Sequence, residues 1–466
     1  MQIKDHILYH DLHLEPDTEY FLYIGELKAN CLNQFLKESL SRIFARKFDF
    51  ISILPDVLSH YPRQNILVIN PRSNVHISEC GKKVCCRLSG KEFNRTVSES
   101  ETVNNLIHEL SEKQSRVFIH VYESMPEMTL PRIPGVSLLG PEPELADQWN
   151  NKHYQLQIFQ NTTVPVINFK ICENFVELLQ VTDKLWNQWK DGIFISQPYS
   201  AAGMNSFIAH APEDIKAFAG RGDSKYLASK YIPHVSDPTV LGVVANPNDV
   251  YIAAVADQEI EGGNTFKGSV FPSALPLKIQ DELKEHTRTV GRLLGQSGYR
   301  GIFGCDFIVD DHEQIHFVEL NARKQGTTME MTCTLENLLP AEAASLLEIE
   351  FFAITEGRIP ENAMETTEIS KNIHWRTYNF KTDKEIDIQT TIPQEHDERQ
   401  LFKAVAENRM ERGMIIMEHL GQGLQAEAGT FVGRIAAVSK KRECLDQDIQ
   451  TGKELLKRSI LTKEGQ

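Results

Sequence analysis

Residues 298–323 read GYRGIFGCDFIVDDHEQIHFVELNAR, which is two apolar runs on either side of the polar segment at residues 310–313. Two short apolar runs around a polar turn are typical of a β-hairpin, so we predict strands over residues 302–309 and 314–320. Side chains two residues apart on a strand share one face. Glu319, Asn321 and Arg323 are therefore expected to point the same way, within reach of Asp306 on the first strand.

This face combines two carboxylates, one amide oxygen and one guanidinium. Carboxylate and amide oxygens are the ligands that a hard cation such as Mg²⁺ prefers. A guanidinium beside them supplies fixed donors for a phosphate or a developing anion. The alternative interpretation is an amphipathic hairpin whose acidic face is solvated.

The same residues resemble the ATP-grasp superfamily, in which a Gly-rich turn precedes an acid on one strand and Glu-x-Asn-x-Arg on the next. The resemblance implies Asp306, Glu319 and Asn321 as ligands of Mg²⁺ with bound ATP. It implies Arg323 as a catalytic residue that contacts phosphates or an acyl-phosphate. The order of elements agrees over roughly residues 141–340 and is most similar to the branch containing biotin carboxylase and carbamoyl-phosphate synthetase.

Further nucleotide contacts are implied by position. Lys152, which precedes a Val-Pro pair at residues 164–165, is expected to contact the phosphates. Lys230, Tyr231 and Ile232 resemble the hinge segment that binds adenine. Lys267, beside a turn expected at Gly268 and Pro272, is a further candidate for a phosphate or substrate contact.

The phosphate loop departs from the family pattern. The family usually has a lysine shortly before the loop, where this chain has Gln197, which is expected to contact the nucleotide by a hydrogen bond but brings no charge. The loop at residues 200–206 reads SAAGMNS and has one glycine, so Gly203, Asn205 and Ser206 are its expected phosphate donors. Weaker ATP binding, a substitute lysine elsewhere and lost activity all remain open as consequences.

The fold expected from the resemblance is mixed α/β. Strands predicted at residues 20–24, 50–54, 65–70 and 116–121, with a helix at 32–48, favour a parallel sheet in residues 1–145. An ATP-grasp domain with two α+β subdomains is expected at residues 146–352, with a lid at about 192–232, and a small β-rich α+β domain at 353–466. Predicted helices in these parts are 146–159, 176–189, 277–297 and 335–351.

Composition restricts the partners. The 466 residues are 41% hydrophobic and 24% charged, and their net charge of −15 disfavours nucleic acid and anionic membrane surfaces. We find neither a leader pattern nor an apolar run long enough to span a membrane, so we expect a cytoplasmic protein. The eight cysteines lack Cys-x-x-Cys spacing and are expected to be reduced thiols.

The leading functional prediction is an ATP-dependent carboxylate–amine ligase that acts through an acyl-phosphate and uses two Mg²⁺ ions, with Mn²⁺ as a substitute. Its expected partners are a small-molecule carboxylate and an amine. The alternatives are a carboxylase of the same fold, a thioester-forming ligase acting on a carrier protein, and a nucleotide-binding protein without turnover. The C-terminal part is expected to support a homodimer or to cap the substrate site.

Overall fold

The computed structural model describes residues 5–59, 61, 63–80, 83–199, 206–217, 225–366, 373–390, 398–418 and 420–462. Over these residues, none of the helices has the length and apolar character needed to cross a membrane.

The N-terminal part is built on a six-stranded sheet. Its elements are β1 (Ile7–Asp11), β2 (Glu19–Ile24), α1 (Leu32–Phe44), β3 (Phe48–Leu54), β4 (Ile66–Ile69), α2 (Pro71–Cys80), β5 (Val84–Cys85), α3 (Gly90–Glu99), α4 (Glu101–Lys113), β6 (Val117–Val121) and β7 (Val136–Leu139). The strand order is β1-β4-β3-β2-β6-β7, in which β1 is antiparallel and the other pairs are parallel. The four strands predicted here are confirmed. The predicted helix ends four residues early, because Ala45 adopts a left-handed conformation that stops it.

A four-stranded antiparallel sheet follows. Its strands and neighbouring helices are α5 (Pro143–Trp149), α6 (Lys152–Phe159), β8 (Phe169–Cys172), α7 (Phe175–Leu185), β9 (Ile193–Ser196), β10 (Ser206–Ala209), α8 (Pro212–Ala217) and β11 (Tyr226–Lys230). The strand order is β10-β9-β11-β8. The single helix predicted at 146–159 is wrong, because Asn151 caps a new helix by accepting hydrogen bonds from the N–H groups of His153 and Tyr154.

An eight-stranded antiparallel sheet is the largest sheet among the described residues and follows the four-stranded sheet in the chain. The elements from here to the C-terminus are β12 (Pro238–Val244), β13 (Val250–Glu261), β14 (Thr265–Phe271), α9 (Leu277–Gln296), β15 (Gly301–Val309), β16 (Ile315–Asn321), α10 (Thr328–Leu338), α11 (Leu346–Glu356), β17 (His374–Lys381), β18 (Ile386–Ile388), α12 (Glu398–Ala406), β19 (Arg412–Glu418), β20 (Gln425–Ala426), β21 (Phe431–Ser439), α13 (Leu445–Arg458) and β22 (Ile460–Thr462). The sheet order is β16-β15-β12-β13-β14-β17-β21-β19. The predicted hairpin and the helix at 277–297 are confirmed.

The helix predicted at 335–351 is wrong, because the chain forms two helices, α10 and α11, that are separated around Pro340. Of the strands beyond residue 353, β17, β21 and β19 continue the eight-stranded sheet, which we call the central sheet. Strand β14 pairs with β17, and the rings of Phe271 and Trp375 stack there with their centroids 5.6 Å apart. A small sheet of order β22-β18-β20-β5 also joins the C-terminal strands to the N-terminal part. The division at residues 145 and 352 remains a prediction.

Candidate active site

The predicted hairpin brings its two acids together. Strand β15 pairs with β16 in antiparallel register, and Asp306 lies directly opposite Glu319. The turn is fixed by Asp310, whose Oδ1 accepts hydrogen bonds from the N–H groups of His312 and Gln314, both at 2.9 Å. This rigid connection holds the two carboxyl groups on one face of the sheet.

Asp306 is held by neutral donors from three neighbouring segments. Its Oδ1 accepts from Thr239 Oγ1 at 2.7 Å, from Gln258 Nε2 at 2.7 Å and from Gln325 Nε2 at 3.0 Å. Its Oδ2 accepts from Asn321 Nδ2 at 2.9 Å. The carboxyl group is therefore fixed in orientation.

Burial and, after it, the nearby negative charge of Glu319 raise the pKa of Asp306 to about 6, against the hydrogen bonds that lower it. A buried carboxyl group that lies opposite a second carboxylate is short of positive charge. A bound cation would supply that charge.

Glu319 has an ionic partner in Lys152. Their Nζ and Oε2 atoms are 2.5 Å apart, and both side chains are largely buried, with exposed fractions of 15% and 18%. Lys152 is the first residue of α6, and its N–H donates to the carbonyl of Pro198, next to the predicted phosphate loop. Lys152 therefore contacts Glu319 through its ammonium and the segment before the predicted loop through its backbone.

Arg323 is held beside the same acids. Its Nη2 donates to Asn321 Oδ1 at 2.9 Å, and its Nε lies 3.8 Å from Glu123 Oε1. The next residue, Lys324, is buried, and its Nζ lies 2.6 Å from Glu350 Oε1 and donates to the carbonyl of Val121 at 3.0 Å. The ion pair anchors the segment after β16 to α11, and the hydrogen bond anchors it to the end of β6, so together they set the position of Arg323.

These side chains surround one cavity of about 600 Å³. Its lining includes the predicted residues Lys152, Ser206, Lys230, Tyr231, Ile232, Asp306, Glu319, Asn321 and Arg323. One end is apolar and lies between the four-stranded sheet and the hairpin, where Leu156, Phe194, Leu227 and Phe317 form its walls. A planar base fits such an end.

The hinge segment at residues 230–232 borders this apolar end. The N–H groups of Lys230 and Tyr231 already donate to the carbonyls of Asn168 and Gly192. Within the described part of the chain, the N–H of Ile232 has no acceptor, which makes it the hinge donor available to a base. Ile232 also offers its carbonyl, which accepts from His234 Nδ1 at 2.8 Å.

Four further predicted residues are not found in the lining of the cavity, and for two of them the position is not described. Gly203 and Asn205 lie outside the described residues. Among the residues described, Gln197 does not line the cavity. Lys267 also turns away from it, because the alternation of β14 points Phe266 inward, and Lys267 Nζ pairs with Glu261 Oε2 at 3.0 Å. The turn expected at Gly268 is wrong, since that residue lies inside β14.

Several contributors were not predicted. Thr239, Gln258 and Gln325 bind Asp306, and Glu123 lies beside Arg323. The sequence could have indicated Glu123, because this residue follows the parallel strand β6 and the carboxyl ends of parallel strands commonly form ligand sites. Thr239 and Gln258 lack such a signal, since only the pairing of β12 and β13 with the rest of the sheet brings them to Asp306.

The donor set fits a divalent cation. Asp306 and Glu319 offer opposed carboxylate oxygens whose mutual repulsion a cation would relieve. Asn321 fits less directly, because its amide already donates to Asp306 and accepts from Arg323. Asn321 would have to exchange these hydrogen bonds to bind a metal, and its role as a ligand stays a prediction.

Comparison with known proteins places the hairpin within a stretch that matches a known domain family. The family model of the ATP-grasp domain matches residues 181–327. The chain is 21% identical over 257 residues to the [butirosin acyl-carrier protein]--L-glutamate ligase of Niallia circulans, which covers 53% of this chain and 61% of that one. It is 24% identical over 201 residues to the carbamoyl phosphate synthase arginine-specific large chain of Halalkalibacterium halodurans, which covers 41% of this chain and 18% of that one. The chain thus spans less than two thirds of the length of either relative.

Among solved structures, biotin carboxylase of Campylobacter jejuni in complex with β-γ-ATP is similar with a TM-score of 0.60 and 14% identity. The match covers 96% of this chain and 92% of that chain, and it concerns the fold. The predicted resemblance to the ATP-grasp superfamily and the mixed α/β fold are confirmed.

Proposed function

We propose that this chain, which contains an ATP-grasp domain, is an ATP- and Mg²⁺-dependent ligase that joins a carboxylate to an amine. The observation that carries the proposal is the opposed pair Asp306 and Glu319. Both acids line the same cavity as Lys152, the hinge at residues 230–232 and Arg323.

The proposed reaction has two steps. A substrate carboxylate oxygen attacks the γ-phosphorus of ATP, the bond to the β-phosphate oxygen breaks, and an acyl-phosphate and ADP result. The amine nitrogen then attacks the acyl carbon and loses a proton, while the C–O bond to phosphate breaks and inorganic phosphate leaves. One cavity supports both steps, because it holds the two reactants together next to the acyl-phosphate.

The side chains have distinct proposed roles. Lys152 neutralises triphosphate charge, and Arg323 stabilises the negative charge that develops on the transferred phosphoryl group and the acyl oxygen. Asp306 and Glu319 would hold Mg²⁺, which when bound supplies Lewis-acid charge neutralisation at the phosphates. The fixed hydrogen bonds of Asp306 keep its oxygens in place for this role.

Lys152 also bears on the missing phosphate-loop lysine. Its Nζ contacts Glu319 and its N–H binds Pro198, so it brings positive charge to the side of the loop where Gln197 brings none. We propose that this arrangement keeps ATP binding adequate in a chain with Gln197. The prediction that turnover is retained depends on Lys152 taking the place of the missing lysine.

The relatives' names support the choice of reaction. One curated relative is named as a ligase of L-glutamate and an acyl-carrier protein, which favours an amino acid among the substrates. The same name favours a second candidate, in which the acceptor is a carrier protein and a thiol replaces the amine. Dependence of turnover on a carrier-protein thiol would select that candidate.

The test is ADP and phosphate release with Mg²⁺ and ATP across pooled amino acids and small carboxylates. The wild type is compared with Glu319→Gln and with Asp311→Asn. Asp311 is a matched control, because it is an acid of the same hairpin whose side chain is 76% exposed. The proposal expects release that depends on one pool, survives in Asp311→Asn and disappears in Glu319→Gln. ATP that binds tightly but is not turned over with any pool or carrier protein would instead support a binding-only protein.

A further inference from the structure

The end of the cavity beyond Arg323 is strongly basic. Its walls come from the N-terminal sheet and from the strands after residue 373. Five cations line it, namely Lys28, Arg87, Arg323, Lys381 and Arg434, against the two acids Glu26 and Glu123. The excess of cations is local, because the whole chain carries a net charge of −15.

Three of these cations have acidic partners. Lys28 contacts Glu26, Arg323 lies near Glu123, and Arg434 contacts the buried Glu330. Lys381 differs, since in the described ranges its ammonium makes no ion pair. It is the last residue of β17, opposite Phe431 of β21, and it lines the cavity.

Lys381 is also crowded by like charges. Burial lowers its pKa, and the positive charges of Lys28 and Arg87 lower it further. Lys28 and Arg87 come from the N-terminal part, and Lys381 comes from the C-terminal strands. The fold therefore brings the three cations to the cavity from opposite walls. Cations that outnumber the acids around a cavity create a potential that attracts an anion.

Backbone polarity adds to this charge. Helix α3 begins at Gly90, three residues after Arg87, and both Ser89 and Gly90 line the cavity. The N-terminal end of a helix carries partial positive charge. The helix end therefore reinforces the potential that the side chains create.

We propose that the substrate of this chain carries a second anionic group, which binds Lys28, Arg87 and Lys381 while its reacting carboxyl lies at Arg323. This inference rests on the proposed ligase function and narrows its substrate to acids with a distal carboxylate or phosphate. Both groups offer the several acceptor oxygens that converging ammonium and guanidinium donors bind. A substrate with a neutral tail would leave the basic end uncompensated.

The first test needs no turnover. Thermal unfolding is followed at low ionic strength with glutarate, with butyrate as its monoanionic counterpart, and with inorganic phosphate. The proteins are the wild type, Lys381→Met and the control Lys278→Met, whose native side chain is 85% exposed on α9. Glutarate or phosphate should stabilise the wild type and Lys278→Met more than Lys381→Met, whereas butyrate should not distinguish them. The stronger of the two anions identifies the distal group as carboxylate or phosphate.

The second test uses turnover with pairs of amino acids that differ in their tail: glutamate against glutamine, and O-phosphoserine against serine. Lys381→Met should raise KM for the anionic member by about tenfold or more, with kcat and the KM for ATP little changed. Equal stabilisation of all three proteins by glutarate and by phosphate would overturn the inference. Turnover of a neutral amino acid at the same rate as its anionic counterpart would also overturn it, although the ligase proposal would then still stand. Absence of turnover with every substrate would count against the ligase function, while the unfolding test would still decide the anion site.

Discussion

Asp306 and Glu319 oppose each other on β15 and β16, yet they are compensated differently: Glu319 contacts the ammonium of Lys152, whereas neutral donors bind Asp306. The pair therefore has less positive charge near it than its two carboxylates require. This difference explains why the pKa of Asp306 is raised, first by burial and then by Glu319.

Removing the charge of Glu319 should abolish the effect of Mg²⁺ on ATP binding. In Glu319→Gln the side chain keeps its size, but one of two anionic metal ligands is lost. Titration calorimetry should show Mg²⁺ tightening ATP binding in the wild type and in Asp311→Asn, and leaving it unchanged in Glu319→Gln. An unaltered Mg²⁺ effect in Glu319→Gln would show that the metal is held elsewhere.

Lys152 should matter for nucleotide affinity. Lys152→Met removes the ammonium that contacts Glu319 in the cavity, so the Kd for ATP with Mg²⁺ should rise about tenfold or more. Lys184→Met, an exposed lysine at the end of α7, should leave that Kd unchanged. Equal ATP affinity in all three proteins would remove Lys152 from the nucleotide site.

Gly304 should be required because Gln325 packs against it. A Cβ at Gly304 would overlap the side-chain amide of Gln325, which donates to Asp306. Gly304→Ala should therefore cost about 1–3 kcal/mol of the unfolding free energy. In a Gln325→Ala background the same change should cost much less, because the obstructing amide is gone. Urea unfolding of the four proteins measures this, and additive effects would contradict the predicted clash.

Glu398 should make stability depend on pH. It is fully buried 4.0 Å from Arg434, and burial raises its pKa to about 8. Because the folded pKa exceeds the unfolded one, the folded state keeps a proton that the unfolded state releases. The stabilisation is complete below about pH 4.5 and is lost as the pH rises through 8.

The unfolding free energy should therefore fall between pH 5 and 8 in the wild type, by at most about 1.4 kcal/mol per pH unit from this group. Glu398→Gln should remove that part of the slope. The exposed control Glu282→Gln should follow the wild type. Parallel pH profiles for Glu398→Gln and the wild type would show that Glu398 titrates normally.

The hairpin was predictable because its signal is local. The alternation of side chains along β16 places Glu319 and Asn321 on one face of the strand. A single turn then brings Asp306 opposite Glu319. The helix errors at residues 146–159 and 335–351 have equally local causes. Asn151 and Pro340 interrupt them, and both residue types favour a new helix start or a break.

The surroundings of the acids were not predictable in the same way. Thr239 and Gln258 lie 67 and 48 residues before Asp306 in the chain, and only the order of strands in the central sheet brings them to it. The basic end of the cavity has the same origin, since Lys28 and Lys381 come from opposite ends of the sequence. Lys267 shows the opposite case, in which a local detail decides. Side chains alternate along β14, so a shift of one residue decides whether a side chain points into the cavity or to the outer face.

Trapping of the acyl-phosphate tests the central claim most directly. Hydroxylamine attacks an acyl-phosphate to give a hydroxamate and inorganic phosphate, so it reports the intermediate without knowledge of the natural amine. The protein is incubated with Mg²⁺, ATP, hydroxylamine and each acid of the panel, and hydroxamate and ADP are measured together. We predict equal amounts of both with an acid that has a distal anionic group, retained in Asp311→Asn and lost in Glu319→Gln. ADP formation without hydroxamate from every acid, or hydroxamate that Glu319→Gln still forms at the wild-type rate, would contradict the account.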